Sequence, residues 1–308
     1  MSATSTAVTS AKAQRSGGSP IRGWNWMASL FLTPALLLLG VFMLYPVIST
    51  IVLSFDRGLG NYIRLLTADR RFLDLSTFPP SGALFNNVLW VVFYTTGCIF
   101  FGLLIAVLAT RVRYEPAIKA IVFLPMAIAA TALGVIWRFV YTPDRDTGLL
   151  NALLGIFHLG PIAFLGDTGW VNTALIIAGI WGSVGFATVI LSAALKGIST
   201  EVLEAARVDG ARESQIFRRI IIPMLSLPIS VVAVTLVINV IKLFDLIYVM
   251  TAGGPGSSSR VIAFTMYQEA FPAGRVDYGA AVAVMMLVIL IPVLIFNVRR
   301  FRSERVVQ

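Results

Sequence analysis

Six apolar stretches, each close to the length that crosses a lipid bilayer, constrain this chain more than any other feature. A helix needs about 20 residues to span the hydrocarbon core. The stretches of that length are residues 28–53, 86–110, 119–141, 171–195, 227–250 and 279–298. Of all residues, 57% are hydrophobic and only 13% are charged, whereas soluble domains carry about 25% charged residues. We therefore predict an all-α membrane protein with six transmembrane helices.

The lysines and arginines predict how these helices are oriented. They are concentrated in four segments: residues 1–27, 111–119, 196–226 and 299–308. Basic residues favour cytoplasmic loops, so we expect both termini in the cytoplasm, a disordered N-terminus over 1–27, a transmembrane domain over 28–298 and a cytoplasmic tail over 299–308. The first external segment, residues 54–85, departs from this rule because it carries four arginines.

Composition also excludes several functions. The net charge of +9 reflects the basic loops beside anionic lipid, and no cluster combines basic with aromatic residues, so we expect lipid and no nucleic acid as a partner. The chain has one histidine, His158, and one cysteine, Cys98, which lies in an apolar run. We expect Cys98 to be a small buried or lipid-facing side chain, with no metal site and no catalytic residues.

Ionisable side chains inside predicted spans are candidate functional positions, because burying a charge in lipid is costly. Lys242 and Asp245 lie three residues apart in the fifth predicted span, on one helical face. Asn239 lies one turn earlier and Tyr248 one turn later. The two ions either neutralise each other and orient the helix, or they line a polar pathway in which Tyr248 offers an aromatic face.

Three other polar residues lie near the external ends of spans. We expect Arg138, near the end of the third span, to reach the headgroups, although a contact with a docked protein is the alternative. Asn86 and Asn87 are expected to be polar residues at the membrane interface.

Residues 143–167 have the apolar spacing of a short amphipathic helix on the external membrane surface.

The segment between the fourth and fifth spans carries the most specific pattern. Residues 199–228 read as a helix, a turn at Gly210 and a second helix that Pro223 ends. An ordinary interfacial helix is one interpretation. The residues themselves indicate another, because Glu204-Ala205-Ala206 is followed after three residues by Gly210. After nine more residues comes Ile220, which begins Ile-Ile-Ile-Pro.

This pattern resembles the "EAA" signature of the permeases of binding-protein-dependent ABC importers. Residues 30–55 are similar to the first span of the maltose-type sugar permeases. Residues 244–251, followed by Gly253-Gly254-Pro255, are similar to the end of their penultimate span. The Gly-Gly-Pro sequence resembles the F-type partner of systems with two different permeases.

The resemblance implies a type I ABC importer permease fold in the bacterial cytoplasmic membrane. The implied partners are a second homologous permease in a heterodimer, two ATPase subunits that bind ATP and Mg²⁺, and an extracytoplasmic solute-binding protein. The implied ATPase-coupling residues are Glu204, Ala205, Ala206, Asp209, Gly210, Ile220 and Pro223. By resemblance the fourth span adds Gly182, Ser183 and Phe186 to the substrate pathway, with the candidates Asn239, Lys242, Asp245 and Tyr248.

The expected function is import of a carbohydrate, a di- or oligosaccharide and perhaps an α-glucoside. This chain has no phosphate-binding Gly-x-x-x-x-Gly-Lys-Ser/Thr loop, so we expect ATP hydrolysis in a partner subunit and no enzymatic activity here. Two other classes of function remain open. A stand-alone secondary transporter or channel would move the solute without an ATPase, and a membrane-embedded enzyme would need a catalytic constellation.

Overall fold

The computed structural model describes residues 26–76, 78, 80–110 and 112–305. Most of the N-terminal segment expected to be disordered therefore lies outside the described residues. The described part of the chain is helical, apart from loops and one isolated antiparallel bridge between Asp74 and Ser81. The predicted all-α class is confirmed for these residues.

Four helices are long and apolar enough to cross a membrane without a break. They are α1 (Trp26–Leu39, a π-helical turn Gly40–Leu44, and Tyr45–Ser54), α3 (Ala83–Leu89, a π-helical turn Trp90–Tyr94, and Thr95–Ala109), α7 (Val171–Lys196) and α13 (Val276–Arg305). The last helix continues to Arg305, so most of the expected tail 299–308 extends the sixth span as a helix.

Two bent pairs of helices account for the remaining predicted spans. The first pair is α4 (Glu115–Phe123, continued by the 3₁₀ turn Leu124–Ala127) and α5 (Ala130–Val140), bent by 100°. The second is α9 (Glu213–Ile216, Phe217–Ile221 and Ile222–Met224) and α10 (Ser226–Ile241), bent by 63°. Six spans are thus found if each bent pair counts as one.

Shorter helices connect the spans. They are α2 (Gly60–Thr67), α6 (Leu149–Ile156), α8 (Thr200–Val208), α11 (Asp245–Met250) and α12 (Ile262–Ala270). The amphipathic helix expected within residues 143–167 is confirmed as α6. We call the end of the spans that carries residues 197–225 the EAA end, and the other end, with residues 142–170 and 251–275, the opposite end.

Small residues let the spans pack closely. A Cβ atom added at Gly102 of α3 would lie 2.6 Å from the Cβ of Ala187 in α7. On another face of α7, a Cβ at Gly185 would lie 2.6 Å from the carbonyl oxygen of Val122. Backbones that approach this closely exclude larger side chains. The same core contains Cys98, which is fully buried as expected.

The fifth predicted span is not the continuous helix 227–250 that the apolar run suggested. Helix α10 ends at Ile241, residues 242–244 are not helical, and α11 begins at Asp245. A break at membrane depth requires partners for the freed backbone groups. The carbonyl oxygen of Val240 accepts hydrogen bonds from Leu243 N at 3.1 Å and from Asn87 Nδ2 at 3.1 Å.

The expectation that Asn86 and Asn87 are interfacial residues is also wrong. Both are at least 95% buried. Asn86 Nδ2 donates to the carbonyl oxygens of Ser258 and Arg260, each at 2.8 Å. Asn87 Oδ1 accepts a 2.8 Å hydrogen bond from the backbone N–H of Ile262. The two asparagines therefore hold the loop after α11 and the start of α12 against α3.

Two of the four arginines of residues 54–85, Arg57 and Arg64, have structural partners at the opposite end. Arg57 Nε lies 2.9 Å from Asp277 Oδ2, at the start of α13. The guanidinium of Arg64 lies 5.3 Å from the ring centroid of Tyr278, a cation–π distance. The Tyr278 hydroxyl in turn donates to Asp69 at 2.8 Å. These contacts account for basic residues that depart from the charge asymmetry of the other loops.

Candidate coupling helix and solute cavity

Helix α8, which contains Glu204-Ala205-Ala206, projects from the EAA end with no residue buried. Its apolar side chains include Val202, 43% exposed, and Val208, 87% exposed. Both lie with Ala205 on one side of the helix at helical spacing, whereas Leu203 and Ala206 are partly covered. An exposed apolar strip between charged residues is the pattern of a surface that a partner covers.

The turn after α8 has the hydrogen bonds of a Schellman motif. Gly210 has φ +79°, a conformation that glycine adopts without strain. Ala211 N donates to the carbonyl oxygen of Ala206 at 3.0 Å, and Gly210 N donates to that of Arg207, also at 3.0 Å. The predicted glycine turn is confirmed, and it fixes the direction in which α9 leaves α8.

Charged side chains brace this turn. Arg207 Nε donates to Glu213 Oε1 at 2.8 Å across the turn. This hydrogen bond and charge raise the pKa of the Arg207 guanidinium above its usual value, and the nearby Glu204 carboxylate adds to the increase. At the start of α9, Arg212 N donates to Gln215 Oε1 at 2.8 Å. Because the pair Arg207–Glu213 is exposed, its contribution is to geometry more than to stability.

The second half of the loop anchors the first to the spans. Ile216 and Leu225 are 1% exposed. Helix α9 continues past Pro223 to Met224 before the bend, so the predicted end at Pro223 is one residue early. Of the predicted coupling residues, five are exposed and two are partly buried. The exposed ones are Glu204, Ala205, Asp209, Gly210 and Pro223; the partly buried ones are Ala206 and Ile220.

A cavity of about 240 Å³ lies between the α4–α5 bend and the α10–α11 break. Its lining comes from α3, α7, the α4–α5 bend and the α10–α11 break. The lining residues are Trp90, Tyr94, Leu133, Gly179, Gly182, Ser183, Asn239, Val240, Leu243 and Leu246, with Pro125, Met126, Ile128 and Ala130 at the bend. Solute sites in transporters are commonly built at such helix interruptions.

The structure brings together three of the predicted pathway residues. Gly182, Ser183 and Asn239 line the cavity. Phe186 does not line it and packs instead against the buried core.

The other three candidates, Lys242, Asp245 and Tyr248, lie outside the cavity on an exposed face beside the helix break. Because residues 242–244 are not helical, Lys242 and Asp245 do not share a helical face. Within the described ranges no ion pair joins them. The neutralising-pair interpretation is therefore wrong for this structure.

Several cavity residues carried no clear signal in the sequence. Pro125 gave a partial signal, because a proline removes a helical hydrogen bond, but Pro34 and Pro292 lie inside unbroken helices. Trp90 and Tyr94 gave no signal, since they look like ordinary apolar residues of the second span. Their place in the cavity wall follows from the packing of α3 against α7, in which a Cβ at Gly179 would lie 2.8 Å from the Trp90 ring.

Arg138 lies in the last turn of α5, at the opposite end of the spans. Its Nη1 donates to the carbonyl oxygen of Val249 in α11 at 3.4 Å. The contact ties together the two helices that follow the interruptions, α5 after the bend and α11 after the break. Neither the headgroup interpretation nor the docked-protein interpretation anticipated this bond.

A family model decides what kind of protein this is. The model described as "Binding-protein-dependent transport system inner membrane component" matches residues 98–306, which include the α8 loop and most of the cavity. The chain belongs to this family. It is accordingly a multi-pass membrane component of an ABC transport system, as the resemblance to the EAA permeases predicted.

Relatives with established names match over nearly their whole length. The "Osmoprotective compounds uptake permease protein GgtC" of Synechocystis sp. is 42% identical, over 89% of this chain and 99% of the relative. The "Alpha-glucoside transport system permease protein AglF" of Rhizobium meliloti is 38% identical, over 92% and 83%. The "Trehalose/maltose transport system permease protein MalF" of Thermococcus litoralis is 31% identical, over 89% and 94%.

Among solved structures, a bacterial ABC transporter that imports the acidic polysaccharide alginate has a chain with the same fold. The TM-score is 0.76, at 22% sequence identity, over 92% of this chain and 96% of that chain. At this identity the likeness concerns the fold alone, and it agrees with the helical architecture of the ABC importer permeases.

Proposed function

We propose that this chain is the membrane-spanning permease subunit of an ATP-driven importer for a carbohydrate, and that α8 couples it to a partner ATPase. The observation that carries the proposal is the projecting EAA helix, in which no residue is buried and Val208 is 87% exposed. The exposed apolar strip of this helix supports a protein partner that covers it. In this proposal Glu204 supplies polar contacts to a cleft of the ATPase and Ala205 permits close approach.

The proposed orientation puts the EAA end and both termini in the cytoplasm of a bacterial cell. Two observations support it. Lysines and arginines are concentrated in residues 112–119, 196–226 and 299–305, which lie at that end. Two of the arginines at the opposite end that run against the rule, Arg57 and Arg64, contact α13.

We also propose that the solute passes along the two helix interruptions and that a second permease subunit completes the path. The cavity of about 240 Å³ is smaller than the roughly 300–1,000 Å³ of typical small-molecule sites. A disaccharide would therefore need additional space between this chain and a partner. Lys242 and Asp245 are exposed and do not line the cavity, and they would line that shared space.

The choice of a carbohydrate, with an α-glucoside as the specific candidate, is supported by the relatives. Two of them are named for α-glucoside and for trehalose/maltose transport. The alginate transporter was solved with a periplasmic protein bound to an alginate pentasaccharide. By analogy, an extracytoplasmic binding protein would deliver the sugar to the opposite end of this chain.

Charge reversal on α8 tests the coupling. In the complex reconstituted from this chain, its partner permease, the ATPase subunits and the binding protein, Glu204→Lys is expected to abolish sugar-stimulated ATP hydrolysis and to reduce ATPase copurification. Asp146→Lys is the matched control, because Asp146 is an exposed acid at the opposite end. Normal ATPase recruitment and transport in Glu204→Lys would refute the coupling proposal.

A solute panel tests the substrate class. We expect proteoliposomes with the full complex to take up maltose, trehalose or sucrose only when ATP is inside, and to ignore glycine betaine, an osmolyte that is not a sugar. Uptake of glycine betaine and of no sugar would refute the carbohydrate proposal and would indicate that the importer carries an osmolyte that is not a sugar. Uptake of sugar by this chain without an ATPase would favour the stand-alone transporter.

A further inference from the structure

A chain of aromatic rings leads away from the α10–α11 break toward the opposite end. Phe244 stacks on Tyr248, with ring centroids 5.3 Å apart and planes 19° apart. Tyr267 of α12 contacts both, at 5.0 Å from Phe244 and 5.7 Å from Tyr248. Phe271 follows at 5.4 Å from Tyr267. The ring of the buried Phe264 packs against this row, with its centroid 6.2 Å from that of Phe244.

The outer members of this row are open. Tyr248 is 46% exposed and Phe271 is 70% exposed, whereas Phe244 and Tyr267 are partly buried. The row therefore presents open aromatic surface near the helix break, at Tyr248, and before the loop that precedes α13, at Phe271. An aromatic cluster that served only as core would cover its rings.

The face on which Tyr248 lies is unsuited to lipid. Helix α10 has 16 residues, which is about 24 Å at 1.5 Å per residue. The bilayer core is about 30 Å thick, so a helix that enters the core at the α9–α10 bend breaks after Ile241 before it has crossed the core. Lys242 and Asp245 are exposed at this break. Because ionisable groups at that depth face water or protein instead of lipid, the adjoining Tyr248 faces the same polar space.

We propose that Phe244, Tyr248, Tyr267 and Phe271 form an aromatic ladder on which the rings of the transported sugar stack as it moves from the opposite end toward the cavity. This inference rests on the proposed carbohydrate function. The flat apolar face of a pyranose ring matches an aromatic face, while its hydroxyl groups bond to polar neighbours. Lys242 and Asp245, where the ladder ends, supply such neighbours for the sugar hydroxyls.

The ladder extends the pathway to a helix, α12, that the sequence pattern did not include. It is distinct from the cavity, since none of its four residues lines it. Sequence spacing could not reveal it, because Tyr267 and Tyr248 meet only after the chain passes through the loop at residues 251–261. The alternative for exposed aromatic residues near a membrane surface is a lipid-contacting belt.

The test compares sugar moved per ATP hydrolysed in proteoliposomes that contain the full complex, with maltose and saturating binding protein. Tyr248→Leu and Phe271→Leu remove a ring, while Tyr248→Phe retains it. Phe100→Leu is the matched control, because Phe100 is 60% exposed on α3 and contacts one ring, that of Phe101. Complex assembly and ATP hydrolysis without sugar are measured for every variant, so that misfolding is recognised.

We expect each Leu variant to transport about three- to tenfold less maltose per ATP, the fold-change that corresponds to one aromatic contact, with assembly unchanged. Tyr248→Phe and Phe100→Leu should match the wild type. Wild-type transport in both Leu variants would overturn the ladder while leaving the carbohydrate function intact. If the wild-type complex moves no sugar of the panel, the proposed function fails and the ladder fails with it.

Discussion

Replacement of Asn87 by alanine tests the idea that one buried amide holds the broken span in place. Asn87 is 5% exposed and joins three elements. It lies in α3, donates to Val240 O at the end of α10 and accepts from Ile262 N at the start of α12. Its loss would leave the Ile262 N–H without this partner in a buried position.

The magnitude follows from the two bonds. A buried donor left unpaired costs about 1–3 kcal/mol, and a lost hydrogen bond whose acceptor keeps another partner costs about 1 kcal/mol. Val240 O keeps the bond from Leu243 N, so Asn87→Ala should destabilise the fold by about 2–4 kcal/mol. The corresponding fall in the melting temperature is on the order of 10 °C.

The assay is the thermal stability of the purified protein in detergent, measured by the fraction that remains monodisperse after heating. Asn239→Ala is the control, because Asn239 is an exposed residue of the cavity wall. That variant should lose transport and keep its melting temperature. A shift below about 2 °C for Asn87→Ala, or equal shifts for both variants, would refute the assignment of Asn87 as the clamp.

Three further substitutions probe the pathway, the turn and the packing. Asp245→Ala should lower sugar transport about tenfold or more, the cost of losing a charged hydrogen-bonding group, whereas Asp146→Ala, an exposed aspartate at the opposite end, should not; equal transport rates would remove Asp245 from the pathway. At Gly210 an added Cβ would meet no atom within 4 Å, but the backbone has φ +79°. Gly210→Ala should therefore cost about 1–2 kcal/mol of backbone strain and weaken ATPase coupling, and Gly210→Asn should have a milder effect. Equal coupling in the two variants would contradict this. Gly102→Ala would place a Cβ 2.6 Å from a facing Cβ and should destabilise the protein by about 1–3 kcal/mol, measured as a lower melting temperature beside the unhindered Gly160→Ala.

The sequence predicted the membrane class, the positions of the four unbroken spans and the helix–turn–helix of the EAA loop. These features follow from local patterns: apolar length, and a glycine between two short amphipathic segments. The Schellman turn at Gly210 needs only neighbouring residues, so its prediction from Gly210 alone was reliable.

Long-range contacts explain what the sequence could not predict. The fifth span breaks after Ile241 without a proline or glycine at residues 242–244. The partner that stabilises the break, Asn87, lies in a helix more than 150 residues away in the chain. The sequence predicts Asn86 and Asn87 at the membrane interface for the same reason: their partners lie far along the chain, in the loop after α11 and at the start of α12. The pairing of Lys242 with Asp245 was wrong because it assumed an uninterrupted helix.

A cross-linking measurement tests the central claim, that α8 docks on an ATPase subunit. The single native cysteine, Cys98, is fully buried, so a cysteine introduced at an exposed position can be labelled selectively. Val208→Cys should cross-link to the ATPase subunit in intact membranes and stay protected from impermeant reagents added outside the cell. The matched Phe157→Cys, at a residue 73% exposed at the opposite end, should do the reverse. Labelling of Val208→Cys from outside, or no cross-link to any ATPase, would contradict the account.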